Sequence, residues 1–68
     1  MYNLKKIRIE RNLSQKQLSE ELKKVGCFIT RSAYTRYENG SRELPCSVLI
    51  KLAEYYEVTT DYILGIDR

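Results

Sequence analysis

Histidine and tryptophan are absent from this 68-residue sequence, and proline, phenylalanine and methionine occur once each. Without histidine, no unperturbed side chain titrates near neutral pH for general-base work, and a Cys/His zinc site cannot be completed. Cys27 and Cys46 lack C-x-x-C spacing, so no metal is expected. They read as reduced thiols packed as small hydrophobes rather than as a disulfide. The three glycines form no phosphate-binding loop, and no spaced carboxylate pair falls in a plausible cleft. Neither an enzyme, a cofactor nor a small-molecule ligand is indicated. No apolar run nears the roughly 18 residues of a membrane span, and no apolar stretch follows Met1 as in a signal peptide. The expectation is a cytoplasmic chain with no membrane partner.

What remains is the composition of a folded domain, 43% hydrophobic and 31% charged, too apolar and too varied for disorder. A chain of this length holds one domain and buries only about 60% of the surface its unfolded form exposes. Charge is unevenly spread. Residues 1–36 carry nine Lys and Arg against three Glu, a surplus of six, whereas residues 37–68 carry three against six Asp and Glu, a deficit of three. A basic N-terminal half suits contact with a polyanion, nucleic acid above all.

Punctuation falls at short intervals and strand-like alternation is absent, which predicts a bundle of short helices. The first runs from about Asn3 to Arg11, with Leu4 and Ile7 inward and Lys5, Lys6 and Glu10 in solvent. Ser14 and Gln17 have the spacing of a capping box, and Leu13 with Leu18 that of a hydrophobic staple, opening a second helix over Gln15 to Val25 that Gly26 stops. Thr30 caps a third helix from Arg31 to the Asn39-Gly40 terminator. Pro45 suits the first position of a fourth helix, in which Val48, Leu49, Leu52, Ala53 and Tyr56 share a face. Thr59 caps a short fifth helix, Thr60 to Leu64, closed by Gly65. The expected core is Leu4, Leu18, Leu22, Tyr34, Leu49, Leu52 and Leu64.

Leu-Ser-Gln at 13–15 and Arg-Tyr-Glu-Asn-Gly at 36–40, in this helical setting, resemble the phage-repressor and Cro-like (XRE-type) helix-turn-helix family. Ile-Arg at 7–8, Leu-Ala-Glu at 52–54 and Val-Thr-Thr-Asp-Tyr-Ile-Leu-Gly at 58–65 match the family's first, fourth and fifth helices in order. The resemblance covers nearly the whole chain. It implies an all-α fold, a compact five-helix bundle of the lambda-repressor-like DNA-binding type, as one domain over 1–68 with the helix-turn-helix in helices two and three. It also implies a sequence-specific regulator of transcription, a repressor, that binds double-stranded DNA. One departure stands out: Lys23 to Ile29 is several residues longer than the family's brief turn, so helix two is expected to run one turn further.

A helix fits the major groove of B-DNA, where each base pair shows a distinct set of donors and acceptors. On the third helix, Arg31, Ser32, Thr35 and Arg36 form a polar stripe, the candidate base readers. Arginine can grip guanine through two hydrogen bonds, worth about 1–3 kcal/mol of discrimination per good pair. Without the resemblance, the stripe would read as an ordinary solvated helix face. Gln15, in the first turn of helix two, resembles the family's phosphate-binding glutamine, and a helix N-terminus attracts phosphate. Lys16, Thr30, Tyr37, Asn39 and Arg42 are the other expected phosphate contacts. Arg8 and Glu38 match a family ion pair tying helix one to the end of helix three, a structural role.

Most of the six tyrosines fit core packing better than base stacking. Tyr55 and Ile50 fall off the core face of helix four, which suggests a homodimer through helices four and five. The same surface, with Ile66, would serve a second reading: a protein-interaction module, antitoxin or regulatory adaptor, on the same fold.

Overall fold

Capping hydroxyls set the starts of three of the five helices among the described residues. The computed structural model describes residues 2–66. In it α1 spans Leu4–Glu10, α2 Gln15–Lys24, α3 Arg31–Glu38, α4 Cys46–Tyr56 and α5 Thr60–Leu64, with no strand among the described residues. Ser14 Oγ accepts from the Gln17 N–H at 3.0 Å, and Gln17 Oε1 accepts from the Ser14 N–H at 2.8 Å, completing the capping box. Thr30 and Thr59 accept from the N–H groups of Ala33 and Tyr62 in the same way. Each such cap satisfies a donor that the helix itself leaves unpaired.

Two starts differ from the sequence expectation. Asn3 precedes α1 but makes no side-chain cap; its Nδ2 donates to the Tyr62 carbonyl and its N–H to that of Ile63, tying the first helix to the last. Pro45 sits one residue earlier than expected, at the N-cap of α4, where its carbonyl accepts from the Leu49 N–H. The proline still occupies a site where a missing N–H costs nothing.

The core gathers Leu4 and Ile7 of α1, Leu18 and Leu22 of α2, Tyr34 and Tyr37 of α3, Val48, Leu52 and Tyr56 of α4 and Ile63 of α5, with Cys27 and Leu44 from the connections. Leu49 and Leu64, both expected inside, are only half-buried. In α4 the innermost line is Val48, Leu52 and Tyr56, spaced by four, and Leu49 lies about 60° round the helix from Leu52, the middle of that line, on its flank. The five-residue α5 is scarcely longer than one turn and offers the core one position, which Ile63 takes rather than its neighbour. Cys27 is a free, buried thiol and Cys46 a free, exposed one. Burial pushes the Cys27 thiol up, against an opposing effect of the Lys51 charge, so Cys27 behaves as a small hydrophobe.

After α4, Glu57 adopts a left-handed conformation, φ 57°, ψ 45°, with the Val58 N–H donating back to the Ala53 carbonyl. Gly26 and Gly65 hold the equivalent positions after α2 and α5. At such a site an L side chain meets its own backbone, whereas glycine does not. Glu57 is exposed. Glu57→Gly is therefore expected to stabilise the fold by about 0.5–1 kcal/mol, after the greater flexibility of an unfolded glycine is subtracted. Thermal melts of the two chains test this, and a lower melting temperature for the glycine variant would refute it.

Candidate nucleic-acid interface

The candidate interface is built on α2, the connection at residues 25–30, and α3. Gly26 at φ 83° turns the chain out of α2, and the N–H groups of Gly26 and Cys27 donate to the carbonyls of Lys23 and Leu22. This pair of bonds is the Schellman closure of a helix end. Cys27 then anchors the connection in the core, and Thr30 starts α3. The ten residues of α2 end at Lys24, one short of the Val25 expected from the sequence, and residues 25–30 connect it to α3.

A continuous polar chain fixes α3 against α1 and α2. Arg8 donates from Nε and Nη2 to the two carboxylate oxygens of Glu38, at 2.9 Å each, and from Nη1 to the Leu13 carbonyl at 2.8 Å. Gln15 Nε2 donates to Glu38 Oε1 at 3.3 Å, and Thr35 Oγ1 lies 2.8 Å from Gln15 Oε1 and 2.9 Å from the Arg31 carbonyl, with one proton to donate between them. The side chains of Arg8 and Glu38 are 13% and 6% exposed. Burial by itself would raise the Glu38 carboxyl. The hydrogen bonds and charge of Arg8, helped by Gln15 and the nearby Tyr34 hydroxyl, outweigh it and hold the carboxyl below its ordinary value. The Arg8 guanidinium is raised in turn, chiefly by its hydrogen bonds to Glu38. A bidentate guanidinium pair fixes direction as well as distance, so the tilt of α3 is set from its C-terminal end.

Tyr34 and Tyr56 are fully buried beside this pair, and neither hydroxyl makes a hydrogen bond of good geometry. Desolvation pushes both phenols far above their ordinary value, so both stay neutral. Tyr37 is only 5% exposed, which makes packing its first role and leaves little of it for a phosphate.

On the opposite side of α3, Arg31, Ser32, Thr35 and Arg36 line one shallow, open groove together with Gln15. The stripe and the start of α2 thus lie together. Arg31, Ser32 and Arg36 are exposed. Among the described residues, no carboxylate lies within ion-pair distance of either arginine. Thr35 differs: it is half-buried and its hydroxyl is committed to Gln15 or the Arg31 carbonyl. The Gln15 amide is likewise engaged between Thr35 and Glu38. No spacing rule joins residues 15 and 35, so this link has no local sign in the sequence.

Lys16 is exposed on the first turn of α2 and Thr30 at the start of α3. Asn39 and Arg42 lie past the other end of α3. Asn39 Oδ1 accepts from both the N–H and the hydroxyl of Ser41, and Arg42 lines a separate shallow groove with Tyr2, Gly40 and Glu43. Among the described residues no group of His, Cys, Asp and Glu could hold a metal, and no helix is long and apolar enough to cross a membrane.

A model of the helix-turn-helix family matches residues 4–63. The chain is 42% identical, over 62 residues, to the HTH-type transcriptional regulator YqaE of Bacillus subtilis (strain 168), covering 91% of this chain and 49% of that protein. It is 40% identical, over 63 residues, to the HTH-type transcriptional regulator YobD of the same organism, covering 93% of this chain and 52% of that protein. The chain thus spans about half the length of these relatives. No solved structure matches it.

Proposed function

The chain belongs to the XRE-type helix-turn-helix family, and from that premise we propose that it is a sequence-specific, double-stranded DNA-binding regulator of transcription, acting as a repressor in the cytoplasm without catalysis. The observation that carries this reading is the groove of Gln15, Arg31, Ser32, Thr35 and Arg36, whose two arginines are exposed and pair with no carboxylate among the described residues. In a folded protein such cations are available to base edges and phosphates.

Arg31 and Arg36 read bases, Ser32 assists, and Thr35 contributes shape and holds Gln15. The exposed Thr30 and Lys16 meet the backbone near the start of α3, while Asn39 and Arg42 meet it beyond the end. The eight residues of α3 make a helix about 12 Å long, comparable with the width of the major groove. Gln15 retains one amide hydrogen and its backbone N–H for a phosphate at the start of α2.

A homodimer through α4 and α5 completes the reading. Ile50 and Ile66 are 51% and 61% exposed there. Tyr55 is a weaker candidate than the sequence suggested, because it is half-buried and its hydroxyl lies 3.4 Å from Glu21 Oε1. A dimer would set two recognition helices about 34 Å apart, so half-sites should repeat at roughly 10 base pairs or a multiple.

Selection of bound sequences from a random duplex pool tests the proposal. The expected result is a discrete, two-fold motif preferred over scrambled DNA by about a thousandfold or more. Salt-sensitive binding without a motif would transfer the surface to a protein partner, as an antitoxin or adaptor module would use it.

A further inference from the structure

Phe28 is the most exposed large hydrophobic side chain among the described residues, at 77%. It lies in the lengthened connection, two residues before the Thr30 cap and three before Arg31. Its neighbours hold the backbone in place: Cys27 is buried and Ile29 half-buried, both packed on the core. The ring is thus held outward from an anchored segment.

Its surroundings are cationic. Lys23 and Lys24 end α2 and Arg31 begins α3, all three exposed, and Lys51 lines the same shallow groove as Phe28, with Gly26, Ile29 and Val48. Of the acidic residues on the flanking helices, Glu21 pairs with Lys24 at 2.7 Å, whereas Glu20 and Glu54 are exposed one turn away from Lys24 and Lys51. An apolar ring among cations complements a surface that alternates apolar sugar carbons and thymine methyls with phosphates. In the chain it stands three residues before Arg31, the first residue of the base-reading stripe.

We propose that Phe28 is a further DNA contact, packed against sugar carbons or a thymine methyl at the rim of the major groove beside the bases met by Arg31. The inference rests on the DNA-binding reading above and adds to it a DNA contact outside α3, which determines specificity where the ring meets a thymine methyl. Apolar burial of a phenyl ring, rather than charge, supplies the contact.

Phe28→Ala is the test, with affinity for the selected duplex followed at several salt concentrations and thermal melts run alongside. Because the ring is already exposed in the free protein, the melting temperature should not fall. Affinity should fall about tenfold, with the dependence of log K on log salt unchanged, since no charge is removed. Replacing flanking thymines by deoxyuridine, one at a time, separates the two contacts. A methyl contact weakens the wild type at one position and leaves the variant unaffected there, whereas a sugar contact shows no such position.

A Phe28→Ala chain that binds the selected duplex within twofold of wild type overturns this inference alone. If that variant also loses self-association, the ring belongs to an interface between copies. A wild-type chain that selects no motif overturns the proposed function and this inference with it.

Discussion

Glu38→Ala is expected to destabilise the domain by about 3 kcal/mol or more, enough to unfold much of a chain whose single core supplies roughly 3–5 kcal/mol. The substitution removes both oxygens that receive Arg8 and the acceptor for Gln15. Arg8, with its side chain 13% exposed, would then keep only the Leu13 carbonyl. An uncompensated guanidinium at such a site costs more than the intact pair contributes. Glu38→Gln separates shape from charge. It preserves an acceptor for Arg8 and should cost less than the alanine, while changing the response to acid.

The sign of that response follows from the lowered carboxyl of Glu38 in the folded chain. Its stabilisation is fully present above the unfolded carboxyl value of about 4.3 and is lost as pH falls through the lower folded value. Wild-type melting temperature should therefore drop on acidification below about pH 4.5, more steeply than that of Glu38→Gln. Circular-dichroism melts across the acid range measure both effects. An alanine variant that melts with wild type would show the pair to be no more than a solvated bridge.

Helix ends were legible in the sequence because their determinants are local. Ser14 with Gln17, Thr30 and Thr59 each act on a backbone group three residues away. Core membership was less legible, since a helical repeat gives a face but not its centre. That is why Leu49 and Leu64 were expected where Val48 and Ile63 are more deeply buried. In the turn, hydrophobicity alone made no distinction within Cys27, Phe28 and Ile29. Burial alternates there, in the sense of a chain whose successive side chains point to opposite sides.

The candidate site divides in the same way. The polar stripe is visible as a helical face within eight residues, and its two arginines are exposed on that face. The Arg8–Glu38 contact, across 30 positions, had no local signature and was suggested only by the family resemblance. The Thr35–Gln15 contact, across 20 positions, was not anticipated, and it changes how both residues are understood. A threonine that holds the first residue of α2 helps fix the angle between the two helices of the motif. Its substitution is therefore expected to disturb geometry as well as any contact with a base.

Replacing Arg31 and Arg36 together by alanine is expected to lower affinity for the selected duplex at least about thirtyfold, from two contacts of about 1–3 kcal/mol each. Folding should be unaffected, because both side chains are exposed and neither forms an ion pair among the described residues. Lysine at the same positions isolates the chemistry. It keeps the positive charge, and with it most of the attraction to phosphate, but it lacks the planar fork that meets guanine O6 and N7 together. The lysine pair should therefore bind scrambled DNA nearly as wild type does while losing most of its preference for the motif. Affinities for both duplexes, measured at matched salt, make the comparison. If the alanine pair loses scrambled and selected DNA in equal proportion, the arginines are phosphate contacts, and sequence is read elsewhere on α3 or through the deformability of the duplex.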